Sequence, residues 1–179
     1  MMQAELVVPF LVDKDVMVAE LPYAGERLSM VIILPVAREG LPGVEKQLDE
    51  KRVNKWLEAL RPTTIDIALA KITLRGSTEL GKRLAAMGMP DAFSRTDADF
   101  SGMTGTPNIF IDKVIHEAFV RIDEQGTEAA AATAVGMRTT SIRRNPQFIA
   151  DHPFVFFIRD RETGLVLFTG RLSNPDAAG

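Results

Sequence analysis

The stretch from Thr64 to Leu74 changes sides. Ile65, Ile67 and Leu69 alternate on odd numbers, whereas Ile72 and Leu74 fall on even numbers, so the face that needs burial switches near Ala70-Lys71. Side chains of a strand point alternately to its two faces, so one flat strand cannot bury both sets against one core. The chain must bulge there or pass from one sheet to another. Either way the fold is built around sheets. The 179 residues, 46% of them hydrophobic, suffice for the core of one globular domain.

Other segments fit this outline. Val16 to Leu21 and Leu28 to Leu34 read as strands joined across Tyr23-Ala24-Gly25, a hairpin. The second is almost continuously apolar, which predicts burial on both faces. Pro35 to Gly43 contains two prolines and two glycines and reads as a loop. Helical spacing follows: Val44 and Leu48 form a short apolar face, and Val53, Trp56, Leu57 and Leu60 a second, ended by Pro62. Ser77 reads as a helix N-cap ahead of Leu80, Leu84 and Met87, with Gly88 as the stop. Ile109 to Ile122 reads as one long strand whose even face carries Phe110, Val114, His116, Ala118, Val120 and Ile122. Phe154 to Ile158 and Leu165 to Thr169 flank the polar turn Arg159 to Gly164 as a second hairpin. Gly126 to Gly136, GTEAAAATAVG, is plausible as loop, helix or strand. Its alanines favour helix, but no apolar stripe runs through it, and Thr127, Ala129, Ala131, Thr133 and Val135 would give a strand a small-residue face. There is no internal repeat and no heptad run.

The composition closes several routes to function. Twenty-one basic against 24 acidic residues give a net charge of −3, which argues against nucleic-acid binding through bulk charge. The absence of cysteine excludes disulfides, thiolate metal sites and a cysteine nucleophile. Two histidines, His116 and His152, cannot build a metal site from several imidazoles. The longest apolar runs are too short to span a bilayer, so no membrane role is expected, and the N-terminus does not read as a secretion signal. Asp97-x-Asp99-x-Ser101-Gly102 resembles the start of a calcium loop, but the twelfth position is Asn108 where a bidentate glutamate is required. Gly81-Lys82 lacks the upstream glycine loop of a phosphate cradle. His116 reads as a hydrogen-bonded core histidine, and His152, before Pro153, as a structural residue at a strand entry. Asp123, Glu124 and Glu128 read as a solvated strand end. No G-x-S-x-G elbow is present, and nothing here assembles an enzyme.

Several longer stretches resemble the serpin family of serine protease inhibitors. Val114 to Ala132, VIHEAFVRIDEQGTEAAAA, is similar to the family's hinge. Ala150 to Pro175, ADHPFVFFIRDRETGLVLFTGRLSNP, is similar to its C-terminal signature. Leu21 to Pro35, Ile67 to Met89 and DFSGM, Asp99 to Met103, resemble its second sheet, its sheet-crossing strand and helix, and a family-like short motif. The resemblance covers essentially the whole chain and points to bacterial-type inhibitory members. It implies an α+β fold: residues 1–179 as the C-terminal half of a serpin domain, with parts of the main sheet, two further sheets, three short helices and an exposed reactive-centre loop at about 124–145.

The resemblance also assigns roles. Glu124 opens the reactive loop and pairs with Lys71. Gly126 and Thr127 form the hinge together with the small residues Ala129, Ala130, Ala131 and Ala132. His116 is the shutter histidine. The seventeenth residue counted from Glu124 is Thr140, so the scissile bond is Thr140–Ser141, with Met137 and Arg138 as alternatives. The implied mechanism is that of a suicide substrate, in which a protease cleaves the loop and the loop then inserts into the main sheet as a new strand. Thr127, Ala129, Ala131, Thr133 and Val135 would then face the core, and all are small. The implied partners are a chymotrypsin-like or subtilisin-like serine protease and an N-terminal serpin half, with self-association through an open sheet edge as a further expectation. No cofactor is called for. The family implies an extracellular protein, and with no secretion signal in the chain the cytoplasm stays open.

Overall fold

A computed structural model describes residues 1–122 and 144–174. In chain order the strands are β1 (Met2–Asp13), β2 (Val16–Pro22), β3 (Leu28–Pro35), β4 (Arg61–Leu69), β5 (Ile72–Glu79), β6 (Ile115–Ile122), β7 (Gln147–Ala150), β8 (Phe154–Asp160) and β9 (Val166–Leu172). The helices are α1 (Leu41–Glu45), α2 (Glu50–Ala59), α3 (Gly81–Ala86) and α4 (Ser101–Thr104), with a single 3-10 turn at Asp91–Phe93. The chain divides into two compact units. One takes in residues 1–72 and 121–179, the other Thr73–Val120.

The larger unit holds a seven-stranded sheet in the order β7-β4-β1-β2-β3-β8-β9. All its pairings are antiparallel except β4 with β7, which is parallel. β1 serves two partners. Met2 to Phe10 pair with β4, and Phe10 to Asp13 with β2. The expected hairpin is β2–β3. Its turn is closed by Tyr23 N–H to the Leu28 carbonyl at 2.9 Å, with Gly25 and Glu26 both at positive φ. From Ser29 onward every residue of β3 is buried, so the continuous apolar run does mark a strand covered on both faces.

Part of that cover comes from the first two helices. Val44, Trp56 and Leu60 pack with Val16, Val18, Val31, Ile33 and Phe157 in one buried cluster. α2 begins where Asp49 accepts the Arg52 N–H at 2.7 Å. It is pinned by the Trp56 indole, which donates to Asp13 Oδ2 at 2.9 Å. At Leu60 the backbone turns extended, and β4 starts one residue later.

The parity switch is a change of sheet. Ile65, Ile67 and Leu69 are buried in β4 in the seven-stranded sheet. After Ala70-Lys71 the chain continues as β5, which pairs with β6 in a separate two-stranded sheet.

In the smaller unit two sequence expectations do not hold. Ser77 is not an N-cap; it lies inside β5, and α3 starts after Leu80 with no side-chain cap. Ladder pairing with β6 outweighs a local capping preference. The strand expected from Ile109 starts only at Ile115. Upstream of it the backbone bonds go elsewhere, with Leu80 N–H donating to the Val114 carbonyl at 2.8 Å and Ile111 N–H to the Ala92 carbonyl at 2.9 Å. Beyond the three helices expected, the family-like motif Asp99 to Met103 runs into the one-turn α4, which Gly105 ends at φ 79°.

Candidate functional site

The segment that the sequence marks as a reactive loop lies between β6 and β7 in the chain. Glu124, Gly126, Thr127, Ala129, Ala130, Ala131, Ala132, Met137, Arg138, Thr140 and Ser141, the residues expected to form the hinge and the reactive bond, all lie outside the described residues. Lys71 is exposed between β4 and β5, and Glu124, its expected partner, is outside the described residues.

His116 is exposed on β6, with Val114, Ala118 and Val120 of the same face half-buried. The sequence reading placed it in a core. The difference has a simple cause: β5 is the only ladder partner β6 has among the described residues, so this ribbon has too few neighbours to bury it.

On the return side the segment is tied down in detail. The Asn145 side-chain amide donates to Asp66 Oδ1 at 3.2 Å, and Asp66 N–H donates to the Pro146 carbonyl at 3.0 Å. β7 then runs parallel to β4, pairing Gln147 with Asp66 and Ala150 with Leu69. Phe148 is fully buried and meets Phe10 edge to face, with ring centroids 6.2 Å apart. A shallow groove of about 400 Å³ along β1, β4 and β7 is lined by Gln3, Ala4, Asp66, Ile67, Gln147 and Ile149.

Two residues past β7 stands a polar cluster. The buried ring of His152 places Nε2 2.7 Å from the Pro35 carbonyl and Nδ1 2.8 Å from Asp151 Oδ1. Arg38 donates to Asp151 Oδ2 at 2.6 Å and to its carbonyl at 3.3 Å. The hydrogen bond to His152, followed by that to Arg38, holds the Asp151 carboxyl below the usual carboxylate range. The sequence reading of His152 as structural agrees with this burial.

A second cluster was not anticipated. Glu20 is only 3% exposed in the middle of the sheet. Its Oε1 accepts from the Ser29 hydroxyl at 2.6 Å and from Arg159 Nε and Nη2 at 3.0 and 2.8 Å. Ser29 and Arg159 face each other across β3 and β8, and Glu20 reaches them from β2. The pair is separated by 139 residues, so no local pattern announces it. All these groups are satisfied within the sheet, which leaves them structural rather than chemically available. Among the described residues no three histidine, aspartate or glutamate side chains gather to hold a metal, and no helix is long and apolar enough to cross a membrane.

A family model described as serpin (serine protease inhibitor) matches residues 1–175. The chain belongs to the serpin family. It is 44% identical over 170 residues to the leukocyte elastase inhibitor of Xenopus laevis, covering 93% of this chain and 45% of that protein. It is 46% identical over 160 residues to Serpin B8 of Bos taurus, covering 88% of this chain and 43% of that protein. It is 42% identical over 172 residues to the leukocyte elastase inhibitor of Homo sapiens. The chain therefore spans less than half the length of these curated relatives. They are vertebrate proteins, so the expected likeness to bacterial-type members is not supported.

Proposed function

We propose that this chain is the C-terminal portion of a suicide-substrate inhibitor of serine proteases, with the segment 124–145 as its reactive loop. The observation that carries this reading is identity of 42–44% to two proteins named leukocyte elastase inhibitor, over 170 and 172 residues. Glu124, Gly126, Thr127 and Ala129 to Ala132 then act as the hinge, and the protease attacks Thr140–Ser141, or one of the alternatives Met137 and Arg138. The partner is a chymotrypsin-like or subtilisin-like protease, met outside the cell as the family implies, with the cytoplasm as the alternative. His116 serves the main sheet as its shutter residue, and Lys71 pairs with Glu124. The protein works as a substrate-like trap, not as an enzyme.

A second reading applies to the 179 residues by themselves. Trapping requires the cleaved loop to pair with a strand on each side. Among the described residues β6 has β5 alone, which supports the view that the isolated chain binds and is cut without trapping. Its edge strand β9 carries exposed Val166, Leu167 and Phe168, which favours self-association or pairing with an N-terminal serpin half.

Incubation with chymotrypsin and with subtilisin, alone and with an N-terminal serpin half, separates the readings by denaturing electrophoresis and mass spectrometry. The expected result is cleavage near Thr140–Ser141 with turnover for the chain alone, and a covalent complex when the halves are combined. A covalent band from the chain alone would overturn the second reading. Failure of both proteases to cut within 124–145, with no complex from the combined halves, would overturn the first.

A further inference from the structure

We propose that Leu165 and the first three residues of β9 form the contact through which two copies of this chain pair about a two-fold axis. The inference rests on the second reading above and commits the uncovered β9 to one occupant. Leu165, Val166, Leu167 and Phe168 are each 41–61% exposed. Among the described residues this is the one place where large exposed apolar side chains follow one another in the chain. Elsewhere they stand singly, as Val7, Val36 and Met87 do, and single ones are ordinary on a protein surface. β9 also ends the seven-stranded sheet, so among the described residues no strand lies beyond it.

An open edge ordinarily recruits a further strand, but this one is spoiled for that purpose. Ile158 pairs with Phe168 and Arg159 with Val166, so Leu167 is an extra residue and the ladder is interrupted beside it. A bulge of this kind twists an edge away from further pairing, which disfavours both an extended peptide and a file of copies added strand to strand. The side chains remain available, and none of the four is charged. What covers them must therefore be apolar and equally short. The same run on a second copy meets both conditions, and a two-fold axis lets one patch serve as both halves of the contact. The flanks suit that axis. Beside Leu165 a turn cluster sets the carboxylates of Glu26, Asp160 and Glu162 against the guanidiniums of Arg27 and Arg161, one negative charge in excess. Toward the other end of β9, Arg171 is exposed and makes a single ion pair, with Glu45 at 3.3 Å, so donors of its fork are left over. With the two runs antiparallel, each Arg171 comes to the negative turn of the other copy.

The surface is large enough for a weak dimer. A side chain of this size presents about 200 Å² when free, so four at roughly half exposure leave on the order of 400 Å² of apolar surface on each copy. The two runs then bury about 800 Å² between them, and the flanking polar residues bring the contact to the ~1,000 Å² that a specific interface needs. A contact of that size without deep pockets gives a reversible dimer in the micromolar range.

The test is sedimentation equilibrium of the intact 179-residue chain over a wide range of concentration. The mass should rise from that of one chain to that of two and go no further. Leu165→Glu should weaken the pairing at least about tenfold, because it sets a carboxylate into an apolar contact. Val7→Glu, an equally exposed apolar position on β1, should leave it unchanged. The chain has no cysteine, so a short bismaleimide should join two copies of Leu167→Cys and leave Val7→Cys single. A single-chain mass at every concentration, growth past two copies, or equal losses from Leu165→Glu and Val7→Glu would overturn the proposal. So would a chain that stays single yet binds an N-terminal serpin half in a way that Leu165→Glu abolishes, since that half would then be the occupant. The wild-type mass needs no variant, so a variant that fails to fold does not shield the idea. No protease enters the measurement, so its failure leaves the cleavage test of the second reading standing.

Discussion

The strands β2, β3 and β8 and the ribbon β5–β6 end in opposite conditions. In the first group nearly every side chain is covered. β3 is buried from Ser29 to Pro35, and Val16, Val18, Phe154 and Phe156 are buried with it. In the ribbon Ile115 is 58% exposed and Phe119 52% exposed, and β5 is open beyond Ile72. The contrast lies in composition, since β5 is mostly polar, and in the number of neighbours each strand finds among the described residues. Among the described residues β2, β3 and β8 each have two ladder partners, while β5 and β6 have one each. A two-stranded ribbon cannot shield its own apolar residues. The exposed Ile115 and Phe119 of β6 fit an element with room for a further ladder partner.

The largest effect should separate the two regions directly. Phe154→Ala removes a fully buried ring and should cost about 3–5 kcal/mol, while Phe119→Ala, which loses an exposed ring stacked under Arg75, should cost less than about 1 kcal/mol. Urea unfolding of both variants measures this. Equal costs would mean that Phe119 is covered in solution, and the contrast would fail.

Next in size is the buried pair. Arg159→Ala strands the Glu20 carboxylate with the Ser29 hydroxyl and with Arg161 at 3.7 Å, and should cost about 3 kcal/mol. Combining it with Glu20→Gln should recover part of the loss, because the uncompensated charge goes with it. Additive costs in the double variant would show that the two residues do not act as a pair.

A smaller effect sits at Gly170, opposite Phe156 across β8 and β9. A Cβ there would stand 2.3 and 2.5 Å from atoms of the Phe156 ring, so Gly170→Ala should cost about 1–3 kcal/mol as the ring is displaced. Gly76 in the ribbon has nothing within 4 Å of its would-be Cβ. Gly76→Ala should therefore stay within about 0.5 kcal/mol of the wild type. Thermal unfolding that showed both substitutions neutral would mean that the Phe156 ring moves aside freely.

How much of this could be read from the sequence follows the same division. The β2–β3 hairpin, the β8–β9 hairpin and the switch between β4 and β5 are written in periodicity, because each depends on neighbours close in the chain. β7 escaped notice because it is four residues long and its parallel partner begins at Asp66, far upstream. β1 escaped because Pro9 interrupts its pattern; the proline is tolerated opposite Pro62, where two prolines face each other and neither has an N–H to pair. Ser77 was misread because a serine before an apolar residue signals a cap only when no strand competes for its backbone. For the site, the family-like motifs point to the segment 124–145, whose expected hinge and reactive-bond residues lie outside the described residues, and the burial of His152 agrees with its structural reading. The Glu20–Arg159 pair had no signal, since the two residues meet only after three strands are in register.

The smallest expected effect compares two turn carboxylates, one in each region. Asp160 closes the β8–β9 turn: its Oδ1 accepts the N–H groups of Glu162 at 2.9 Å and Thr163 at 3.1 Å, and Arg27 donates to its Oδ2 at 2.9 Å. The Thr163 N–H above all, helped by Arg27, holds this carboxyl below the usual range. Asp99 in the smaller unit is also held low, by Ser101 alone, through its hydroxyl and its N–H. A depressed folded pKa contributes stability that is present above the unfolded carboxylate pKa and is lost as pH falls through the folded value. Asp160 ties a turn to a residue 133 positions away, so its protonation should weaken the large sheet. Asp99 serves only its own turn, with fewer partners. Asp160→Asn should therefore flatten the acid limb of the unfolding midpoint against pH more than Asp99→Asn does. Parallel acid limbs for the wild type and Asp160→Asn would show that the β8–β9 turn is held by its backbone alone. The difference between the two regions would then rest on apolar burial, with no share from the carboxylate.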